Sequence, residues 1–240
     1  RISQGNVAQG RSLKARATEI AVDIHHTIGI REAAQFEWEF ALWTGDWKRA
    51  NEIVSNPFEG EGSGDLLHGR LTELHAYTGK QFTEKDMGMG SHIASISKLS
   101  PSRRIAIATT ILTLTGDASV VEHLDISLEL ARAPVIADEH RLMLMARSSR
   151  ALAVNDDESI PRLYDELSRF SGWWNISTGT AIDHMLGMLA SRLGRYDEVE
   201  NHFERAIRHS RDAGFRPTLA LVSTAYVEML RERNSTGDLA

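Results

Sequence analysis

Apolar residues recur along this chain at steps of three and four, and nowhere do they alternate strictly over the length of a strand. That periodicity belongs to amphipathic helices packed by one stripe, and it predicts no strands. The spacing predicts helices over 13–27, 31–44, 47–54 and 66–77. After an interrupted segment, further helices are predicted over 101–115, 119–132, 137–154, 158–170, 178–193, 196–212 and 217–233. Leu13, Ala17, Ile20, Ala21 and Ile24 form the first stripe, and Ala34, Trp38, Ala41 and Leu42 the second.

Local punctuation supports these boundaries. Asn56-Pro57 stops the third helix, because proline has no donor and clashes with the preceding turn. Ser100-Pro101 starts another cleanly, the hydroxyl capping free N–H groups and the ring fitting the first turn. Gly88 and Gly90 break the pattern of Phe82, Met89, Ile93 and Ile96 into a kink. The stretch Glu59-Gly60-Glu61-Gly62-Ser63-Gly64 reads as a mobile loop over about 57–64. A phosphate-binding loop would follow a strand and open a helix, and here no strand precedes it.

The segment from Leu193 to Ile207 is the most telling. Gly194 makes a turn; Asp197, Glu198 and Glu200 crowd the positive end of the following helix, and Arg205, Arg208, His209 and Arg211 its negative end. Gly214 supplies the left-handed stop. Val199, Phe203, Ala206 and Ile207 form the stripe that should meet Leu219, Val222, Tyr226 and Met229, with small Ala206 and Ala225 letting the axes come close. His202, about 100° from Phe203 around the helix, falls off that stripe.

Similar turns recur at Gly45, Gly79, Gly116, Asp156 and Gly237, spaced from one another and from Gly194 by 34, 37, 40, 38 and 43 residues. Such a period marks stacked helical hairpins. The order glycine turn, aromatic, acidic helix start and Phe/Ala/Ile stripe resembles the second helix of a tetratricopeptide (TPR) hairpin. From about Asp156 to Ala240 the chain resembles the TPR arm of large bacterial signalling ATPases. These include ATPase-linked adenylate and guanylate cyclases and LuxR-type transcriptional regulators. The residues that carry the resemblance are Leu163-Tyr164-Asp165-Glu166-Leu167, His184 to Ala190, Leu193 to Glu198, His202-Phe203 with Ala206, and Gly214-Phe215-Arg216-Pro217 with Ala220. Gly45-Asp46-Trp47-Lys48-Arg49-Ala50 is a looser copy. Val199 stands where the family usually has alanine, and Trp173-Trp174 where it has small residues. The resemblance implies a position after a nucleotide-binding module. This chain has no phosphate loop of that kind and no cyclase metal pair.

Composition narrows the function. With 42% apolar and 25% charged residues in 240, the chain reads as one folded domain. A net charge of −6 argues against a nucleic-acid partner. The pairs Arg103-Arg104 and Arg147/Arg150 read as solvated faces. No cysteine is present, which excludes thiol catalysis and thiolate zinc and fits a reducing cytoplasm. The longest weakly polar run, Ile105 to Leu114, is about half a membrane span. His25-His26 diverge on a helix, His68 and His75 share a face without a third ligand, and Asn155-Asp156-Asp157-Glu158 reads as an acid-capped turn. No metal, cofactor or catalytic set is therefore expected.

Taken together, residues 1–240 are expected to form one all-α, TPR-like superhelix of about five to six hairpins. Repeats are clearest over 156–240, and the chain reads as a piece of a longer one. Its expected role is a non-catalytic protein-interaction or sensor arm in bacterial signal transduction. The alternative is a stand-alone adaptor that grips a peptide or partner protein. Trp38 and Trp47 are expected in the core. Of the adjacent Trp173 and Trp174, one is expected at the surface, and with Tyr226 they are the candidate partner-binding residues. An uncovered 217–233 helix is expected to pair with a second copy.

Overall fold

The structure, a computed structural model, describes residues 7–55, 64–78, 99–116, 120–130 and 137–233. Among them the chain forms helices α1 (Val7–Asp23), α2 (Thr27–Thr44), α3 (Trp47–Ser55), α4 (Gly64–Thr78), α5 (Pro101–Thr115) and α6 (Val121–Leu130). They are followed by α7 (Ala137–Ala153), α8 (Ile160–Ser168), α9 (Ile182–Arg192), α10 (Tyr196–Ala213) and α11 (Arg216–Arg233). The all-α reading holds. Of the expected loop over 57–64, Gly64 instead opens α4 and the rest lies outside the described residues, as do the kinked segment after Gly79 and the closing Gly237-Asp238 turn.

Several boundaries form as the local chemistry dictates. Ser100 Oγ accepts the Arg103 N–H at 3.4 Å, with Pro101 in the first turn of α5. Asp156 accepts from Ser159 through both its N–H and its hydroxyl, so the acid-capped turn before α8 is present. Gly45 ends α2 in left-handed backbone, φ 70°, and its N–H returns to the last-turn carbonyls.

Several boundaries differ from expectation: α1 starts at Val7 and α2 at Thr27, ahead of the expected 13 and 31. α1 ends at Asp23 rather than running to Thr27, because His25 takes a left-handed φ of 53°. His26 then caps α2 by accepting the Gly29 N–H on Nδ1. A short antiparallel ladder also appears where no strand was expected. β1 (Trp174–Asn175) pairs with β2 (Thr180–Ala181), so α9 begins at Ile182 instead of 178. Left-handed glycines at 172 and 179 bend this hairpin away from helical geometry.

The α1 stripe is turned outward. Leu13, Ile20 and Ile24 are 54%, 52% and 67% exposed, and only Ala21 is buried. The reason lies opposite: α2 offers aromatic faces that attract the basic side of α1. The Arg11 guanidinium sits 4.2 Å over the Phe40 ring and Lys14 Nζ 5.6 Å over Phe36.

Helices α7 to α11 pack in sequence, as hairpins should. α9 and α10 lie especially close. A methyl group at Gly187 would stand 2.9 Å from the Phe203 ring, so glycine there, as well as buried Ala206, permits the approach. Phe203 stacks on Tyr226 of α11 at 5.2 Å. Val222 and Met229 are buried, so the apolar stripe of the 217–233 helix is largely covered within the chain.

Packing departs from a nearest-neighbour stack where α11 also packs on α2. Arg216 Nε donates to the Thr44 carbonyl at 3.1 Å. Phe215 lies 5.6 Å from Trp43 and 4.8 Å from Trp174, and Tyr77 donates to the Thr178 carbonyl. The main core therefore runs continuously from α2 to α11. A smaller core of α5 and α6 is joined to it by α7, which gives Leu144 and Met145 to one and Leu142 and Ala146 to the other.

Candidate binding site

Helix α2 carries its acids among aromatics: Phe36, Glu37, Trp38, Glu39 and Phe40 follow one another. Trp38 is fully buried, and Glu39, flanked by Phe36 and Leu42 at i−3 and i+3, lies on the inward side of the helix as well. Glu39 meets Gln35 one turn earlier, whose Nε2 donates to Oε1 at 2.7 Å. From α5, Arg103 Nη1 reaches the same oxygen at 3.5 Å. From α4, Arg70 donates to Gln35 Oε1 at 3.3 Å, and its guanidinium lies 5.8 Å over the Trp38 ring. Glu73, one turn after Arg70, accepts the Trp38 indole N–H at 3.3 Å. Two acids, two guanidiniums, an amide and an indole from three helices thus meet in one interior cluster.

Burial sets the chemistry of this cluster. It raises the Glu39 carboxyl to about 7, against the opposing pull of Arg103 and the Gln35 hydrogen bond. Glu73 is raised for the same reason, opposed by Arg103, Trp38 and Arg70. Tyr77, on the same stripe of α4, is raised by burial and by both acids. Glu39 still keeps 23% of its side chain exposed and Arg103 28%, so water reaches the cluster from one side. A carboxyl poised near neutrality beside exposed guanidinium surface can accept a cationic or donor group and release its proton on doing so.

Sequence reasoning placed Arg103 on a solvated face, and the structure corrects this: it is the counter-ion of Glu39. The available signal was an acid with Phe36 and Leu42 at i−3 and i+3, on the buried side of its helix.

A second polar cluster was also missed. Asp183, fully buried in α9, accepts from Ser171 Oγ at 2.8 Å, the Gly172 N–H at 2.6 Å and His202 Nδ1 at 2.8 Å. Burial alone would raise its carboxyl, but these donors outweigh it and hold the group below its usual range. His202 Nε2 lies 3.0 Å from the Tyr164 hydroxyl, which donates to Glu198 at 2.5 Å. His202 is therefore no off-stripe bystander. It is 9% exposed and ties α8, α9 and α10 together.

The three sequence-chosen partner residues are not brought into one site. Trp174 is enclosed in β1 against Phe215. Trp173 is half-buried, its ring 4.8 Å beneath the Arg141 guanidinium. Tyr226 is half-buried on Phe203. Trp38 is core as expected, while Trp47 is half-buried beside Tyr77. Among the described residues no group of three or more acids and histidines could hold a metal ion, and no helix is long and apolar enough to cross a membrane.

Compared with protein families, curated proteins and solved structures, the chain matches none of them.

Proposed function

We propose that this chain is a non-catalytic, TPR-like binding arm in bacterial signal transduction, working in the cytoplasm beside the nucleotide-binding module of a transcriptional regulator or cyclase. The resemblance over 156–240 supplies the parent class, and the in-sequence packing of α7 to α11 is consistent with it. The observation that carries the reading is the interior cluster of Glu39, Glu73, Arg70 and Arg103. A polar cluster set at the junction of three helices, with an acid raised by burial, costs stability, and such costs concentrate where a protein binds. On this reading a partner or effector presents a cationic or hydrogen-bond-donating group to Glu39 and Glu73. The shift of α2 against α4 and α5 is then relayed along the array.

The test has two arms. The reading frame of the parent gene should encode a nucleotide-binding module next to this segment, and an isolated frame would instead mean a stand-alone adaptor. In the full parent protein, Glu39→Gln/Glu73→Gln should leave basal ATP hydrolysis intact and abolish its response to the activating signal. An unchanged response would reject the site.

A further inference from the structure

A second, unrelated cleft of about 600 Å3 lies where α1, the α2–α3 turn and the start of α11 meet. Four cations line it: Arg11, Lys48, Arg49 and Arg216. Against them stand two acids, Glu37 and Asp46, in a chain whose net charge is −6. The lining therefore carries two positive charges in excess.

What matters is how little of that charge is neutralised. Arg216 donates to the main-chain carbonyls of Thr44 and Gly45, which position the group without cancelling it. Arg11 rests on the Phe40 ring. Lys48 makes no ion pair among the described residues. Arg49 faces Glu52 at 3.5 Å with both side chains about half exposed, a geometry worth little. Asp46 is already engaged, accepting the Arg49 N–H at 3.0 Å as the cap of α3. Another cleft among the described residues, lined by Arg147, Arg150 and Arg162, shows the contrast. There Arg150 is bonded to Asp125 and Arg162 to Glu166, and the charges balance.

We propose that the cleft between α1, α3 and α11 binds a small phosphorylated metabolite through its phosphate monoester. Such a group carries about −1.5 to −2 at neutral pH, which matches the excess of the lining. Guanidinium forks suit its oxygens, and Arg11 and Arg216 reach the lining from two different helices, α1 and α11. The volume exceeds what phosphate alone fills, and half-buried Trp47 offers an apolar face to the organic body. Convergent cations in a cleft also concentrate anions from solution. This site stands independently of the Glu39 cluster and of the signalling role.

Calorimetric titration of the full chain with adenosine monophosphate, adenosine and inorganic phosphate tests the assignment. The monophosphate should bind, inorganic phosphate should bind more weakly, and adenosine should give no heat. Affinity should fall as salt rises. Arg11→Glu/Lys48→Glu alters two exposed side chains and should keep wild-type circular dichroism while losing roughly a hundredfold in affinity, about tenfold per cation removed. Arg147→Glu, in the balanced cleft, should bind as wild type. No binding of either phosphate-bearing probe at millimolar concentration would overturn the proposal, as would undiminished affinity in the double variant. Adenosine or inorganic phosphate equalling the monophosphate would overturn the assignment of an esterified ligand.

Discussion

Replacing Glu39 by glutamine should stabilise the protein in alkaline solution and leave it nearly unchanged in mild acid. The folded protein holds the Glu39 proton more tightly than the unfolded chain does, because burial raises its pKa from 4.5 to about 7. For an acid shifted in this direction, the folded state binds more protons between those two values, so stability falls as pH rises. The contribution is whole below about pH 4.5 and is lost on passing through about pH 7. That interval corresponds to roughly 3 kcal/mol, which the remaining 23% of side-chain exposure reduces to about 2 kcal/mol. Glutamine keeps an oxygen for the Gln35 donor and removes the ionisation. Arg103 retains the charge of nearby Glu73. Denaturant unfolding of both proteins at a series of pH values measures the difference. It should be near zero at about pH 4 and favour Glu39→Gln by about 2 kcal/mol above about pH 8. A difference that stays flat with pH, or a variant weaker than wild type in alkali, would show that Glu39 is solvated and the cluster misread.

Gly179→Ala should cost about 2–5 kcal/mol, since a methyl there overlaps the Trp43 indole and the backbone φ is +63°; a wild-type denaturation midpoint would disprove the close approach. His202→Ala should cost about 2–4 kcal/mol by leaving Asp183 and Tyr164 without their shared partner, comparable to Phe203→Ala at about 3–5 kcal/mol. Urea unfolding compares the two, and a loss below half a kcal/mol for His202→Ala would restore it to the surface. Leu13→Glu/Ile20→Glu should change stability by less than about 0.5 kcal/mol per site, because both side chains face solvent. Sedimentation should show any self-association of the wild type reduced in that variant; if Val227→Glu on α11 reduces it instead, the exposed stripe of α1 is not the sticky one.

The legible parts of this molecule were those written in short-range chemistry. Ser100-Pro101 starts α5, Asp156 caps the turn before α8, and the charge gradient of α10 runs from Asp197 to Arg211. Each needs only residues within one turn. The polar clusters needed more. Glu39, Glu73 and Arg103 stand on three helices, and periodicity assigns each helix a buried side without saying that an acid is paired there. His202 was misjudged because α10 buries a wider arc than Val199, Phe203 and Ala206 alone define, once Asp183 and Tyr164 approach from α9 and α8. The α1 stripe failed for the opposite reason. Its apolar spacing is sound, but Phe36 and Phe40 on α2 reward cations, so α1 lays Arg11 and Lys14 over their rings instead.

The bond from Arg216 to Thr44 spans 172 residues. A simple stack can fold hairpin by hairpin as it leaves the ribosome, each unit resting on the one before. Here the aromatic face of α2 is synthesised long before Phe215 and the start of α11, which cover it. Contacts so distant in sequence raise the contact order and slow folding, and they leave Phe40 and Trp43 open to wrong partners in the meantime. They also bind α2 and α11 into one cooperative unit, so that removing α11 should loosen α2 rather than leave it unaffected.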